Sequence, residues 1–272
     1  MKRYAIGLVV GAFGLSLASS SVLAYSGSYV PGSGINGTVH DLGTAHNGMN
    51  YVANPADSLN RICIFCHTPH NAYRLSPANG GPGFGGGLEA PDAFDYLPLW
   101  NHALPETTDY LMYDNGPGAP GIGPKASQAI LDGMTPGGAS LLCLSCHDGS
   151  VAVNAYGNPN GACTSASSGG TVISPCYQIG QDKYLGNHHP IGFNYDNVVP
   201  ADPEIRNPDN TLLTTLTTIR QHLYGQANQM MECPTCHSVH NKGNTGERLL
   251  WRSDQNSELC LTCHDKGLYT AP

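Results

Sequence analysis

The sequence predicts a mostly irregular chain, coil with a few short helices, folded around something other than its own side chains. Three observations lead there. Its 272 residues include 34 glycines and 20 prolines, with only 12% charged, a balance that ordinarily belongs to loops rather than to a packed domain. The chain contains Cys-x-x-Cys-His four times: Cys63-Ile64-Phe65-Cys66-His67, Cys143-Leu144-Ser145-Cys146-His147, Cys233-Pro234-Thr235-Cys236-His237 and Cys260-Leu261-Thr262-Cys263-His264. That pattern is the attachment signature of a c-type haem: two thiols become thioethers to one porphyrin and the next residue binds its iron. Histidine is also abundant, 12 in all, enough to supply an imidazole to both faces of every iron. The expected architecture is therefore a multihaem c-type cytochrome built around a chain of four stacked haems, whose flat apolar rings give irregular backbone a surface to pack on.

Paired Cys-x-x-Cys units also build structural zinc sites. Zinc does not require a histidine directly after each pair, and here every pair has one. The reading is four covalently bound haem c groups, attached through Cys63, Cys66, Cys143, Cys146, Cys233, Cys236, Cys260 and Cys263 and ligated proximally by His67, His147, His237 and His264.

The N-terminus suits export. Lys2 and Arg3 precede an apolar run from Tyr4 to Leu17, and Val22-Leu23-Ala24 is a small-residue cleavage site, so residues 1–24 read as a signal peptide. The run is too short and too rich in Gly and Ser for a comfortable membrane anchor, and no later stretch in the mature chain approaches a span. Residues 25–272 are expected to form one tetrahaem domain, with one haem pair in about 25–195 and the other in about 196–272. Of ten cysteines the motifs use eight; Cys163 and Cys176 remain, and in an oxidising compartment they are expected to pair. That disulfide would clamp the Gly/Ser-rich segment Gly157–Gly170 and stabilise by roughly 3 kcal/mol through loop closure. The formal net charge of −8 argues against nucleic acid or an anionic membrane as partner.

Taken in order, Tyr25–Asn60 reads as polar and turn-rich, Ser76–Pro91 and Asn115–Pro124 as loops, and Tyr96–His102 as an extended apolar segment. Ala126–Leu131 is a short helix candidate. Leu212–Tyr224 is the best helix candidate in the chain, although its threonines disfavour helix. The third motif repeats the first as Cys-x-x-Cys-His-x-x-His-Asn, and the second and fourth share Ser-x-Leu-Cys-Leu-x-Cys-His-Asp. Between the motifs of each half lies one of the two tryptophans, Trp100 and Trp251, each preceded by Leu. The chain thus reads as a two-motif unit occurring twice.

Eight histidines remain as sixth ligands. His70 and His240 each follow a proximal histidine by three residues, about one helical turn, and cannot approach that same iron from its opposite face, so each points to another haem. Pro190 fixes an extended backbone before it. His188 and His189 then face opposite ways, and only one can serve a given iron. His40 lies in an N-terminal stretch with no other evident reason to pack, and His102, beside Trp100, competes with it. His46 and His222 read as surface or supporting residues. Met49, Met112, Met134, Met230 and Met231 are alternative ligands that would raise a potential.

His40-Asp41-Leu42, the Cys63–Asn71 run, Pro98-Leu99-Trp100-Asn101, Cys143–Gly149, His189-Pro190-Ile191 and Cys233–Asn241 together resemble the tetrahaem cytochromes of the doubled Cys-x-x-Cys-His family. More narrowly they are similar to OmcE-type members, which polymerise into extracellular cytochrome filaments. The resemblance covers most of the mature chain and implies His40, His70, His189 and His240 as distal ligands, with one, best the His70 position, supplied by a neighbouring subunit. The Cys163–Cys176 insertion has no counterpart in that pattern.

With all irons bis-histidine, no open site is left for substrate, and the expected role is long-range electron transfer rather than catalysis. The resemblance implies a secreted or cell-surface subunit of a head-to-tail homopolymer, a nanowire, exchanging electrons with redox partner proteins or extracellular acceptors. The alternatives are a monomeric periplasmic or surface-bound carrier and a multihaem oxyanion reductase, which would need one vacant iron position.

Overall fold

A computed structural model of the chain describes residues 30–42, 61–70, 99–102, 109–113, 134–153, 172–173, 178–225, 227–246 and 248–266. The leader, the Cys163–Cys176 pair, His46, Asn71, the two predicted loops and the Ala126–Leu131 helix lie outside the described residues.

Regular structure is sparse, as the composition implies. The longest described helix, α1, is Gly138–His147, where Ala and Leu supply good helix formers and Gly149 with φ +76° turns the chain away. Single-turn helices α2 (Tyr195–Val198) and α3 (Cys233–Cys236) and the longer α4 (Glu258–Cys263) follow. Strands β1 (Phe193–Asn194) and β2 (Met230–Met231) pair antiparallel, Phe193 opposite Met231. Odd motifs therefore sit on single turns, Ile62–Phe65 and α3, and even motifs on α1 and α4.

Apolar packing forms small clusters beside the motifs. Phe193, Tyr195, Val198, Leu213, Ile219, Leu223 and Met231 are buried together, with Cys236, Cys263 and Trp251 packed on their edge. Tyr110, Leu141, Leu144 and Leu185 form a second cluster around α1. Each such side chain contributes roughly 1.5–3 kcal/mol on burial.

Leu212–Tyr224 is not the expected helix. Leu212 bridges Thr218 antiparallel, a tight turn lies between them, and only Ile219–His222 makes a 3-10 turn. The threonines explain the difference: Thr214 Oγ1 accepts from the amides of Leu216 (3.2 Å) and Thr217 (3.1 Å), so the side chain takes backbone donors a helix would need. Arg220 then ties the region down, donating to both carboxylates of Asp196 and Asp209 at 2.7–3.1 Å and to the Asn228 carbonyl at 3.0 Å. Arg220→Ala is expected to lower the melting temperature by a few degrees with haem content unchanged, as read by circular dichroism and absorbance.

The repeat is real in the backbone, but its register differs from the tryptophan alignment by one residue. Thr68 N–H donates to Leu99 O at 2.9 Å and Ser238 N–H to Leu249 O at 2.5 Å, while Asn101 and Trp251 each donate to the second cysteine's carbonyl, Cys66 O and Cys236 O, at 2.9 Å. Leu99 and Leu249 share positive φ, 53° and 60°, so the stretch ending at His102 is kinked rather than continuously extended. Asn101, not Trp100, is the counterpart of Trp251. Their side chains agree: Asn101 Nδ2 donates to Ile64 O at 2.5 Å and Trp251 Nε1 to Pro234 O at 3.0 Å, equivalent carbonyls of the two odd motifs. A tryptophan and an asparagine thus do one job, holding the turn that presents the cysteines. Asn101→Ala and Trp251→Phe each remove that donor and are expected to destabilise by about 1 kcal/mol, measurable in denaturant melts.

Candidate haem-binding site

Three pairs of imidazoles face one another across gaps of similar size. His40 and His147 have ring centres 6.1 Å apart, His67 and His240 6.0 Å, and His189 and His264 6.2 Å. Each pair joins a histidine of a Cys-x-x-Cys-His motif to one outside any such pentad. A metal–imidazole bond of about 2.0–2.1 Å on each side, plus roughly 1 Å from nitrogen to ring centre, spans about 6 Å. The gaps fit one six-coordinate iron each, and the porphyrin it carries would lie across the gap beside the motif's cysteines. Trp100 Nε1, buried beside His67 without a hydrogen-bond partner, is a donor suited to a carboxylate such as a haem propionate.

Local hydrogen bonds orient two of the rings that lie outside the motifs. His40 Nδ1 lies 3.4 Å from Val239 O, and His189 Nδ1 lies 2.9 Å from Pro190 O, which leaves Nε2 as the ring nitrogen that could bind a metal in both. Burial is the first cause that holds His147 down at about 4 and lowers His40, His237, His240 and His264 below the ordinary imidazole range, favouring the neutral form that binds metal. Burial likewise pushes the thiols of Cys66, Cys146 and Cys236 up to about 12 and that of Cys263 to about 11. Among the described residues no group of three or more His, Cys, Asp or Glu side chains is arranged to hold a metal ion; the motif cysteines do not converge as a zinc site would require.

His70 and His237 belong to none of these three pairs, although His237 lies near enough to His40 and His147 for its charge to help lower both below the ordinary imidazole range. His70 is exposed and its backbone closes on Thr68 Oγ1, while His237 has Nδ1 3.3 Å from Arg248 O. Among the described residues neither has an imidazole across from it. His188 does not face His264; its neighbour does, as alternation in an extended segment requires. His102 is fully buried, with Nε2 2.9 Å from Ala152 O and 3.4 Å from Cys146 Sγ, which engages it against the second motif. His222 is buried too, not on the surface: Nε2 lies 2.7 Å from Thr217 Oγ1 and its ring meets Trp251 edge-on at 4.6 Å.

Residues not singled out in the sequence hold the motifs together. Glu232, 2% exposed, accepts from Gly137 N–H at 3.0 Å and from the Ser140 hydroxyl, joining the N-terminus of α1 to the start of the third motif. A Cβ on Gly137 would come within 2.2 Å of that carboxylate, so the close approach requires glycine. Cys233 N–H donates to the same Ser140 hydroxyl at 3.0 Å beside it. Each even motif ends in an aspartate paired with a cation, Asp148 with Lys183 at 2.5 Å and Asp265 with Arg206 at 3.2 Å. Tyr110 also donates to Asp148 at 2.6 Å. The Ser and Asp of the repeated Ser-x-Leu-Cys-Leu-x-Cys-His-Asp were the available signal; Glu232, buried only in three dimensions, had none.

Residues 226–268 match the family model for the doubled CXXCH motif. The match takes in the third and fourth motifs and supports a multihaem c-type cytochrome. No curated protein matches the chain. The Cys-x-x-Cys-His motifs are accordingly attachment sites for covalently bound haem c, and electron transfer is the chemistry such groups supply.

Proposed function

We propose that the protein is an exported tetrahaem cytochrome that conducts electrons along an extracellular filament of its own copies. One haem is attached at each motif, and the irons are bound by His67 with His240, His147 with His40, and His264 with His189. The fourth proximal ligand, His237, takes His70 of the next copy. The three imidazole pairs near 6 Å carry this reading, because a protein without ligated irons has no reason to hold three such gaps at nearly one width. Six-coordinate irons have no position for a substrate, so the side chains serve to fix the rings, set their potentials and exclude water. An exposed His70 and an unfaced His237 are complementary halves of one site, and a contact of that head-to-tail kind does not close on itself but propagates as an open polymer. The leader sends the chain out of the cytoplasm, where haem attachment and the Cys163–Cys176 disulfide are chemically consistent; electron donors and acceptors are then redox proteins or extracellular oxidants.

Electron microscopy of material sheared from the surface of cells making the native protein tests this. The expected result is filaments whose mass spectrum shows this chain plus four haems. Small particles with the haems intact would make the protein a diffusing or surface-bound carrier instead.

A further inference from the structure

The segment 30–42 brings His40 to His147, yet it contains no regular element to hold it in place. Its internal bonds are short-range: Thr38 Oγ1 donates to Ile35 O at 2.7 Å and accepts from His40 N–H at 3.2 Å, and Gly37 N–H donates to Asp41 Oδ2 at 2.9 Å. The hydrogen bonds joining this strap to the rest of the described residues land on Val239 and Asn241. Asn241 is fully buried. Its side chain donates to Val30 O (3.0 Å), Gly34 O (2.8 Å) and Ser33 Oγ (3.4 Å) and accepts from Gly32 N–H (3.1 Å), and its carbonyl accepts from Gly34 N–H at 2.8 Å. Val239 O faces His40 Nδ1. Between those two residues stands His240, opposite His67.

We propose that the turn Ser238–Asn241 is a clamp shared by two haems. It carries the distal ligand of the first motif's haem itself, and through Asn241 it positions the strap that carries the distal ligand of the second. Asn241 is a positioning residue, since it touches neither iron. Its amide suits this role because both donor hydrogens and the acceptor oxygen are engaged by strap backbone, a match no apolar or singly polar side chain of that size reproduces. Asn241 also has φ +50°, a conformation asparagine tolerates better than most residues, which turns its side chain under the strap. The ligation of two haems is thereby tied to one folded turn, so that loss of the strap exposes one iron and loss of the turn exposes two.

This inference rests on the ligand assignment above, and carbon monoxide titration of the reduced, assembled protein tests the two separately. A ligand of this kind binds only where the sixth position is open. His40→Ala is expected to bind about one more carbon monoxide per chain than the native protein. Asn241→Ala is expected to show the same gain, with haem content unchanged and new protease cleavage within 30–42. Asn241→Asp, which keeps the side chain's shape and its acceptor for Gly32 N–H but sets an oxygen without a donor hydrogen against Val30 O and Gly34 O, is expected to do likewise, and it decides the matter alone if Asn241→Ala fails to accumulate. The double variant His40→Ala/Asn241→Ala is expected to gain no more than His40→Ala. Native carbon monoxide uptake in Asn241→Ala and Asn241→Asp beside a gain in His40→Ala would overturn the clamp and leave the ligand standing. No gain in His40→Ala would overturn both.

Discussion

His70→Ala is expected to abolish filaments and leave small particles that retain four haems and bind about one more carbon monoxide per chain than the assembled native protein. His70 is exposed and only its backbone is hydrogen-bonded among the described residues, so its side chain holds no other described residue in place. Its proposed role lies across the interface, where it would complete the coordination of His237. The effect is large because the ligand and the contact are the same atom: the replacement opens one iron and removes the bond that orients one subunit on the next. His237→Ala should also break assembly, with a haem perturbed at its own motif. Micrographs, size-exclusion profiles and carbon monoxide uptake together read the outcome. Filaments of normal length built from His70→Ala would remove this histidine from the interface.

The second large effect is a stability that declines as pH rises. Burial, opposed only in part by the Ser140 and Gly137 hydrogen bonds, pushes the Glu232 carboxyl from 4.5 up to about 8. A carboxyl whose folded value lies above its unfolded one binds more protons in the native state between the two. Its contribution is therefore fully present below about pH 4.5 and is lost as pH rises through about 8. At about 1.4 kcal/mol per tenfold change in acidity the loss is at most roughly 5 kcal/mol. Glu232→Gln, which is neutral throughout, is expected to flatten that slope in denaturant midpoints taken from pH 5 to 8. Glu232→Ala leaves the Gly137 amide and Ser140 hydroxyl without their acceptor and is expected to cost about 2–4 kcal/mol at low pH. Parallel curves for native and Glu232→Gln protein would assign the pH dependence elsewhere.

The local chemistry of this protein is legible without coordinates. Cys-x-x-Cys-His specifies its own cofactor because two thiols and an imidazole within five residues must meet one macrocycle, so haem attachment follows from spacing alone. Sparse regular structure follows in the same way from glycine, proline and the low charge. The repeat is visible too, but its register is not: two tryptophans attract the eye, whereas backbone pairing aligns Trp251 with Asn101, because what the position must supply is a donor to a carbonyl and not an indole. The threonines of Leu212–Tyr224 already weaken a helix in the sequence, and the structure shows how: the Thr214 hydroxyl accepts the backbone amides of Leu216 and Thr217. Tertiary structure alone decided which distant histidines meet. His40 reaches His147, and His240 reaches His67, only through a turn that folds an N-terminal strap over a site some two hundred residues away in the chain. Asn241 and Glu232 follow the same logic, since an asparagine or a glutamate acquires its meaning from burial and partners. Covalent attachment is a property of neighbours in sequence, and the meeting of a motif histidine with an imidazole across a gap is a property of neighbours in space.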